Sequence, residues 1–255
     1  MASSRTVPSL VLPSIALLVT GVVGGFVQPA WAGPDGLREA FSSRRPNGRQ
    51  VTVPPVARYV SESGEGFILD RTSGRPLLKF DSSIEVIALE ASPAPRGDVI
   101  YKNDLGKPIL RATQLGGLTV FTADRPGGAA AALAGSTSPI RIATIAPTAL
   151  LQRLAQASSR ASRAAQRLVP FEADATPASS SMVADAAAIA AEAITRLARR
   201  ADGPEALKKL RKVTVVQGRK PTAVMQKGVV KITITPAAGP AGRPSSERII
   251  AALTD

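Results

Sequence analysis

Three aspartates near the ends of short apolar runs are the side chains best placed for acid–base chemistry. These are Asp70, Asp98 and Asp104. Two carboxyl groups can share the acid and base roles of a hydrolysis when one is desolvated and the other lies several ångströms away. Glycine or asparagine stands close to each aspartate, which instead favours turn and strand-capping roles. A carboxylate-dependent hydrolase acting on cell-wall or polysaccharide material is therefore the alternative function, and a non-catalytic protein is the favoured one.

Histidine and cysteine are both absent from the chain, and their absence removes most familiar catalytic sites. Without histidine there is no Ser-His-Asp or Cys-His centre and no histidine-based zinc hydrolase. Without cysteine the stability must come from packing, because no disulfide can form. The sequence also lacks a Ser-x-x-Lys motif and a phosphate-binding Gly-Lys-Ser/Thr loop. We therefore expect no catalytic residue, no metal site and no cofactor.

The N-terminal segment predicts export. Arg5 is the only charged residue before residue 33, and residues 10–27 form an apolar run. Ala30-Trp31-Ala32 then offers small residues at the two positions that a signal peptidase reads, so cleavage is predicted after Ala32. An uncleaved anchor is the alternative, because about 18 apolar residues can just span a bilayer. We expect a periplasmic or extracellular protein with no transmembrane segment in the mature chain.

Positive charge is concentrated in the second half of the chain. Residues 123–255 carry 19 basic and 9 acidic side chains, against 12 and 10 in residues 33–122. Such a surplus indicates an anionic partner, although an Arg-rich composition alone can also produce it. The candidate anion-binding residues are Arg153, Arg160, Arg163, Arg167, Arg196, Arg199 and Arg200, with Lys208, Lys209, Arg211 and Lys212 downstream. For an exported protein the expected partner is a lipid head group, lipopolysaccharide or cell-wall polymer, and nucleic acid is not expected.

The first half of the predicted domain has the pattern of a meandering antiparallel sheet. Short β-type runs are bounded by Ser-, Gly-, Pro- and Asp-rich turns, which is typical of a sandwich or a small barrel-like sheet. The predicted strands are 56–60, 66–70, 77–80, 85–89, 98–102, 107–113 and 118–122, after a flexible linker at 33–55. We therefore predict an α+β fold in which this meander, residues 56–122, packs against two or three helices.

The second half, residues 123–255, mixes helical and strand patterns. Apolar residues recur at helical spacing in 148–169 and 182–200, and a shorter helix is predicted at 245–253. Isoleucines at 140, 142 and 145 suggest one more strand. Late β-runs at 213–217 and 229–235 are expected to join the meander, giving one domain over 56–255.

Four segments carry a resemblance to a known family. RGDVIYKNDLG at 96–106, LRATQLGGLTVFT at 110–122, RPGGAAAA at 125–132 and GRPSSERI at 242–249 are similar to the signature of an uncharacterised family of exported α-proteobacterial proteins, a domain of unknown function. The resemblance covers about Val53 to Leu253, essentially the whole predicted mature chain. It implies no activity, cofactor or site.

Overall fold

The computed structural model describes residues 54–255. The predicted signal peptide, its cleavage site after Ala32 and nearly all of the predicted linker lie outside these residues. The described chain forms a large antiparallel sheet, followed by a layer of helices that pack on a small second sheet. The predicted α+β class, with a meandering antiparallel sheet and C-terminal helices, is confirmed.

Nine antiparallel strands make up the large sheet, and seven of them coincide with the predicted runs. Strands consecutive in the chain are adjacent in the sheet, except that β4 and β5 lie at its opposite edges, and β9 also pairs with β1. The spatial order is β4-β3-β2-β1-β9-β8-β7-β6-β5. The bounds are β1 Val56–Ser61, β2 Gly66–Asp70, β3 Leu77–Phe80, β4 Val86–Ala88, β5 Glu90–Pro93, β6 Val99–Lys102, β7 Pro108–Ala112, β8 Leu118–Val120 and β9 Ala129–Ser136.

The large sheet is nearly closed and barrel-like because one bent segment of the chain, residues 86–93, forms both of its edge strands. β4 pairs with β3, β5 pairs with β6, and only the buried Leu89 separates these two edge strands. The Leu89 N–H donates to the carbonyl oxygen of Pro76 at 2.8 Å, which fixes the bend beside the start of β3. The strand predicted at 85–89 thus corresponds to β4, and β5, which begins after the bend at Leu89, was not predicted.

Alternate residues of the strands fill the interior of the large sheet. Phe67 and Leu69 on β2 are fully buried, and their partners across the ladders are Tyr59 on β1 and Leu78 on β3. The rings of Tyr59 and Phe67 stack with their centroids 5.4 Å apart. Side chains two residues apart share one face of a strand, so the alternation seen in the sequence becomes one apolar core.

An alanine-rich strand that the sequence did not predict completes the large sheet. β9 pairs with β1 on one side and with β8 on the other. Alanine is depleted in strands, so this stretch gave no β signal. Gly128 precedes β9 at φ +89°, and a Cβ there would lie 2.6 Å from the Thr119 side chain and 2.9 Å from Phe121. Glycine is therefore required where β9 enters the sheet.

The strand expected at 140–145 was wrong, because these residues pair with no strand of the described chain. They form the connection between the two layers. Ile140 is buried against Leu77 and Val86 of the large sheet, and its N–H donates to Asp70. The apolar residues in this stretch thus anchor a crossing chain.

Helices and the small sheet form the second layer. The helices are α1 Pro147–Ala165, α2 Ser180–Ala198, α3 Gly203–Lys208 and α4 Ser246–Thr254. The strands are β10 Phe171–Ala173, β11 Lys212–Gln217, β12 Thr222–Gln226 and β13 Val229–Ile234, in the order β10-β11-β13-β12. β10, β11 and β13 are parallel, and β12 pairs antiparallel with β13.

The expectation that the late β-runs extend the large sheet was wrong. Because β4 and β5 bring the two edges of that sheet together at Leu89, it offers no long free edge for another strand. The runs instead pair with each other, and their buried residues Val213, Val215, Val230 and Ile232 pack in the same core as the helices.

α1 and α2 bury their apolar stripes mainly against each other and the small sheet. Leu150, Leu154, Ala157 and Ala161 form the buried stripe of α1. α2 is buried on most of its surface, which is why its sequence is so rich in alanine. α1 ends before the predicted residue 169, because Gln166 adopts the left-handed conformation at φ 52°. Within residues 54–255, none of the helices has the length and apolarity that a membrane crossing requires.

Candidate functional site

Asp70 is a buried structural carboxylate. Its Oδ1 accepts hydrogen bonds from the N–H and the hydroxyl of Thr72 at 2.8 and 2.6 Å, and its Oδ2 accepts from the Ile140 N–H at 2.8 Å. Burial by itself would raise the pKa of Asp70, but these hydrogen bonds and the positive charge of Arg141 outweigh it and lower that pKa. Asp70 therefore ties β2 to the crossing chain as an anion.

Asp98 is held in the same way on another part of the large sheet. Its Oδ2 accepts from Nε and Nη2 of Arg111 at 2.8 and 2.5 Å, and its Oδ1 accepts from the Gln114 N–H at 3.4 Å. The Arg111 hydrogen bonds lower the pKa of Asp98. A carboxylate in this position is a poor general base, because its proton affinity is reduced.

Asp104 joins the turn between β6 and β7 to the start of α4. Its carboxylate accepts from the N–H of Ser245 at 3.0 Å and from the Ser245 hydroxyl at 2.5 Å. Arg248 lies 3.5 Å from the same carboxylate and donates to the main-chain oxygen of Asp104. The three aspartates are thus engaged by three separate sets of donors, and each has a structural role.

Two of the segments quoted above for the family resemblance meet at this point. The Asn103-Asp104 turn belongs to RGDVIYKNDLG, and Ser245 to Arg248 belong to GRPSSERI. Asn103 donates to Glu247 at 3.0 Å, and Lys107 pairs with the same glutamate at 3.4 Å. We call this contact between the large sheet and the start of α4 the junction.

A buried guanidinium lies at the centre of the junction. The Arg243 side chain is 1% exposed and pairs with Asp185 of α2 and, at 3.9 Å, with the buried Glu85. Its Nη2 donates to the carbonyl oxygen of Val86 on β4 at 3.2 Å. Arg243 therefore connects the large sheet to the helical layer through both charges and backbone.

Ser246 has the hydrogen-bonded carboxylate that a serine nucleophile requires, but its surroundings prevent that role. Its hydroxyl donates to Glu85 at 2.5 Å and accepts from Arg196 at 2.7 Å, and Glu85 also accepts the Ser246 N–H at 2.7 Å. Ser246 is 1% exposed, so a substrate carbonyl has no access to it. The arrangement caps and positions α4.

A cleft of about 420 Å³ opens beside the junction. Its apolar side is formed by Phe80, Ile87, Ile109 and Phe121, and Arg196 lines it from α2. Four carboxylate residues line the cleft, the buried Glu85 and the more exposed Glu65, Asp124 and Glu247, together with two further cations, Lys107 and Arg125. Opposite charges are mixed around the cleft, so it favours neither anionic nor cationic ligands.

The predicted arginines do not form one site. On α1, Arg153, Arg160 and Arg163 are exposed, and Arg160 pairs with Glu192 at 2.6 Å. Arg196 faces the junction, where it donates to Ser246. Arg199 and Arg200 are exposed at the end of α2. Only Arg167 contacts the downstream basic residues, because its Nη1 donates to the main-chain oxygen of Lys208 at 2.5 Å.

Four basic residues surround a single groove of about 540 Å³ near the C-terminal end of the chain. These are Lys208, Lys209, Arg211 and Lys227, and the one acidic residue lining it is Asp255. We call this feature the basic groove. Within residues 54–255, Lys209, Arg211 and Lys227 make no ion pair, and Lys208 pairs only with the exposed Glu205.

Local backbone structure brings these cations together. The N–H of Arg211 donates to the carbonyl oxygen of Gly228 at 2.7 Å, which places the start of β11 against the turn between β12 and β13. Lys227 occupies the first position of that turn with a left-handed φ of 49°. Lys227 is not among the residues predicted from the sequence. The strand pattern of β12 is too weak to reveal the Lys-Gly turn that follows it.

Among residues 54–255, no three acidic side chains are grouped in a way that could hold a metal ion. The candidate sites are thus the mixed-charge cleft and the basic groove, and only the groove has a dominant sign of charge.

The fold and these sites define an α+β protein whose first layer is a nearly closed antiparallel sheet and whose second layer carries a basic groove. The chain belongs to the family described as Domain of unknown function (DUF4908), whose match covers residues 37–253. The resemblance to an uncharacterised domain of unknown function is thereby confirmed. No curated protein and no solved structure is similar enough to the chain to match it.

Proposed function

We propose that this is an exported, non-catalytic protein of the cell envelope that binds an anionic partner through its basic C-terminal half. The observation that carries the proposal is the basic groove, in which four cations face one concave surface with one acidic residue. A cleft that is lined by charges of one sign focuses the electric field and raises the local concentration of oppositely charged ligands.

The energetics of the groove favour an anionic occupant. Lys208 and its partner Glu205 are 71% and 77% exposed, and such exposed pairs contribute only about 0–1 kcal/mol. Lys209, Arg211 and Lys227 carry like charges that repel one another, and none of them makes an ion pair within residues 54–255. An anionic group in the groove relieves that repulsion and accepts charge-assisted hydrogen bonds.

The expected class of partner depends on export. Lipid head groups, lipopolysaccharide and cell-wall polymers are the abundant anions of an envelope, whereas nucleic acid is not expected there. The export proposal rests on the N-terminal sequence alone, and the intact mass of the protein from fractionated cells tests it. A mass lacking residues 1–32 is expected, and a mass including them would contradict cleavage.

A carboxylate-dependent hydrolase is less well supported as the function. Asp70, Asp98 and Asp104 are each saturated by structural donors, so none is available as the acid or base of the sequence hypothesis. The cleft beside the junction is where we would look for such an activity, since Glu65, Asp124 and Glu247 line it and are at least partly exposed.

Charge reversal separates the basic groove from the arginines of α1. We expect Lys209→Glu with Arg211→Glu to abolish co-sedimentation with isolated cell-envelope fragments. The matched control is Arg153→Glu with Arg163→Glu, which changes the net charge equally on exposed residues outside the groove and should retain binding. Equal loss in both variants would indicate a diffuse attraction set by net charge, and unchanged binding in both would refute the proposal.

A further inference from the structure

An exposed leucine directly follows an arginine that contacts a residue of the basic groove. Leu168 is 78% exposed and follows Arg167 in the segment between α1 and β10. The Nη1 of Arg167 donates to the main-chain oxygen of Lys208, a residue that lines the groove. The leucine side chain is therefore presented to solvent at the border of a positively charged surface.

The segment that carries Leu168 is anchored on both sides. Arg167 N–H donates to the carbonyl oxygen of Ser162 at 3.1 Å, and Val169 is fully buried. The Val169 N–H donates to the Ser162 hydroxyl at 2.9 Å, and its carbonyl oxygen accepts from the Ser158 hydroxyl at 2.9 Å. These bonds leave Leu168 no route into the core, so its exposure is built into the fold.

Cations bordered by an exposed apolar residue match the chemistry of an anionic membrane surface. Lysine and arginine bind the phosphate-bearing head groups, while an apolar side chain enters the boundary between head groups and acyl chains. A hydrophilic cell-wall polymer would use the cations but would leave the leucine in water.

Resting on the proposed function, we propose that the basic groove and Leu168 together form a docking surface for the anionic phospholipid head groups of a membrane. The groove residues supply attraction, and Leu168 inserts at the interface. The proposed class of partner is therefore an anionic phospholipid bilayer, and no longer any anion of the envelope.

The chain contains a matched control for this insertion. Leu151 is 76% exposed on the first turns of α1, and the helix rise of about 1.5 Å per residue puts it about 21 Å along the axis from the end of α1 that leads to Leu168. The two leucines share chemistry and exposure and differ in distance from the groove. Their variants should therefore behave differently on a membrane.

The test uses residues 33–255, the predicted mature chain, and vesicles of phosphatidylglycerol with phosphatidylcholine, or of phosphatidylcholine alone. We expect co-sedimentation with the anionic vesicles only. Leu168→Ser should weaken it about tenfold, from the lost burial of one leucine side chain, and Leu151→Ser should leave it unchanged. Lys209→Glu should weaken it by at least about fivefold, from the loss of one cation at the surface.

A second measurement does not depend on the loss of binding. Leu168→Trp should show fluorescence quenching by brominated acyl chains, and Leu151→Trp should not; in each variant the introduced residue is the one tryptophan of residues 33–255. Equal quenching of the two variants, equal effects of the two serine substitutions, or equal binding to neutral and anionic vesicles would each overturn the proposal. Binding to envelope fragments without binding to anionic vesicles would overturn this inference and leave the proposed function intact. Binding to neither would overturn both.

Discussion

Replacement of Arg243 by methionine should strongly destabilise the fold, because this side chain holds the two layers together. The guanidinium is 1% exposed and contacts Asp185, Glu85 and the carbonyl oxygen of Val86. Methionine fills a similar volume without supplying charge or hydrogen bonds. The substitution leaves the apolar cores of the large sheet and of the helical layer unchanged. The change in stability therefore reports on the polar contacts of Arg243.

The expected loss is about 3–5 kcal/mol, the range for removing one partner of a buried ion pair. Glu85 is 7% exposed and would remain as a buried carboxylate without its counter-charge. Asp185 is 22% exposed, so water can solvate it and its contribution is smaller. The unpaired carbonyl oxygen of Val86 adds about 1 kcal/mol within that range.

Urea denaturation measures this change in the free energy of unfolding. Glu85→Gln introduced into Arg243→Met should recover part of the lost stability, since a neutral amide is less costly to bury than a carboxylate. The control is Arg58→Met on the large sheet, where Arg58 and Asp81 are 44% and 41% exposed and the expected loss is below about 1 kcal/mol.

Two results would refute this view of the junction. One is a loss for Arg243→Met no larger than that for Arg58→Met. The other is no recovery when Glu85→Gln is added. Either would mean that the contacts of Arg243 contribute no more than surface ion pairs.

Two further substitutions test other structural carboxylate contacts. Asp70→Asn should lower the free energy of unfolding by about 2 kcal/mol near pH 7, because the carboxylate accepts three hydrogen bonds. The folded pKa of Asp70 is lowered, so its stabilisation is complete above the unfolded pKa of about 3.9 and is lost as the pH falls through the lower folded pKa. Urea titrations across that acidic range should show the two proteins converging, and a constant difference would contradict the assignment. Ser245→Ala should cost about 1–2 kcal/mol by the same measurement, because the hydroxyl caps the Arg248 N–H and donates to Asp104; a cost near zero would show that the cap is dispensable.

Local patterns predicted most of the large sheet but not its closure. Strands such as β2 alternate apolar residues between turn residues, so the positions of seven of the nine strands follow from the sequence. The bend at Leu89 depends on a backbone hydrogen bond to Pro76, which no local pattern records. β9 was missed because alanine carries little strand signal and its pairing is set by the neighbours β1 and β8.

The composition of the basic groove could be predicted from the sequence, but its position could not. The basic surplus of the second half pointed to an anionic partner, and Lys208, Lys209 and Arg211 were among the residues named. The sequence placed the candidate anion-binding residues in or beside the two long helices, because helical spacing is visible locally; these were Arg153, Arg160, Arg163, Arg167, Arg196, Arg199 and Arg200. The groove also requires Lys227, which a non-local contact between Gly228 and Arg211 brings into place.

The salt dependence of binding to isolated cell-envelope fragments tests the proposed function most directly. At an ionic strength of about 0.01 M the Debye length is about 30 Å, and at about 1 M it is about 3 Å, so attraction by the basic groove should act only at low salt. We predict that the protein co-sediments with the fragments at low salt and remains in solution at high salt. Absence of binding at either ionic strength would contradict the function, and the positive charge would then reflect composition alone.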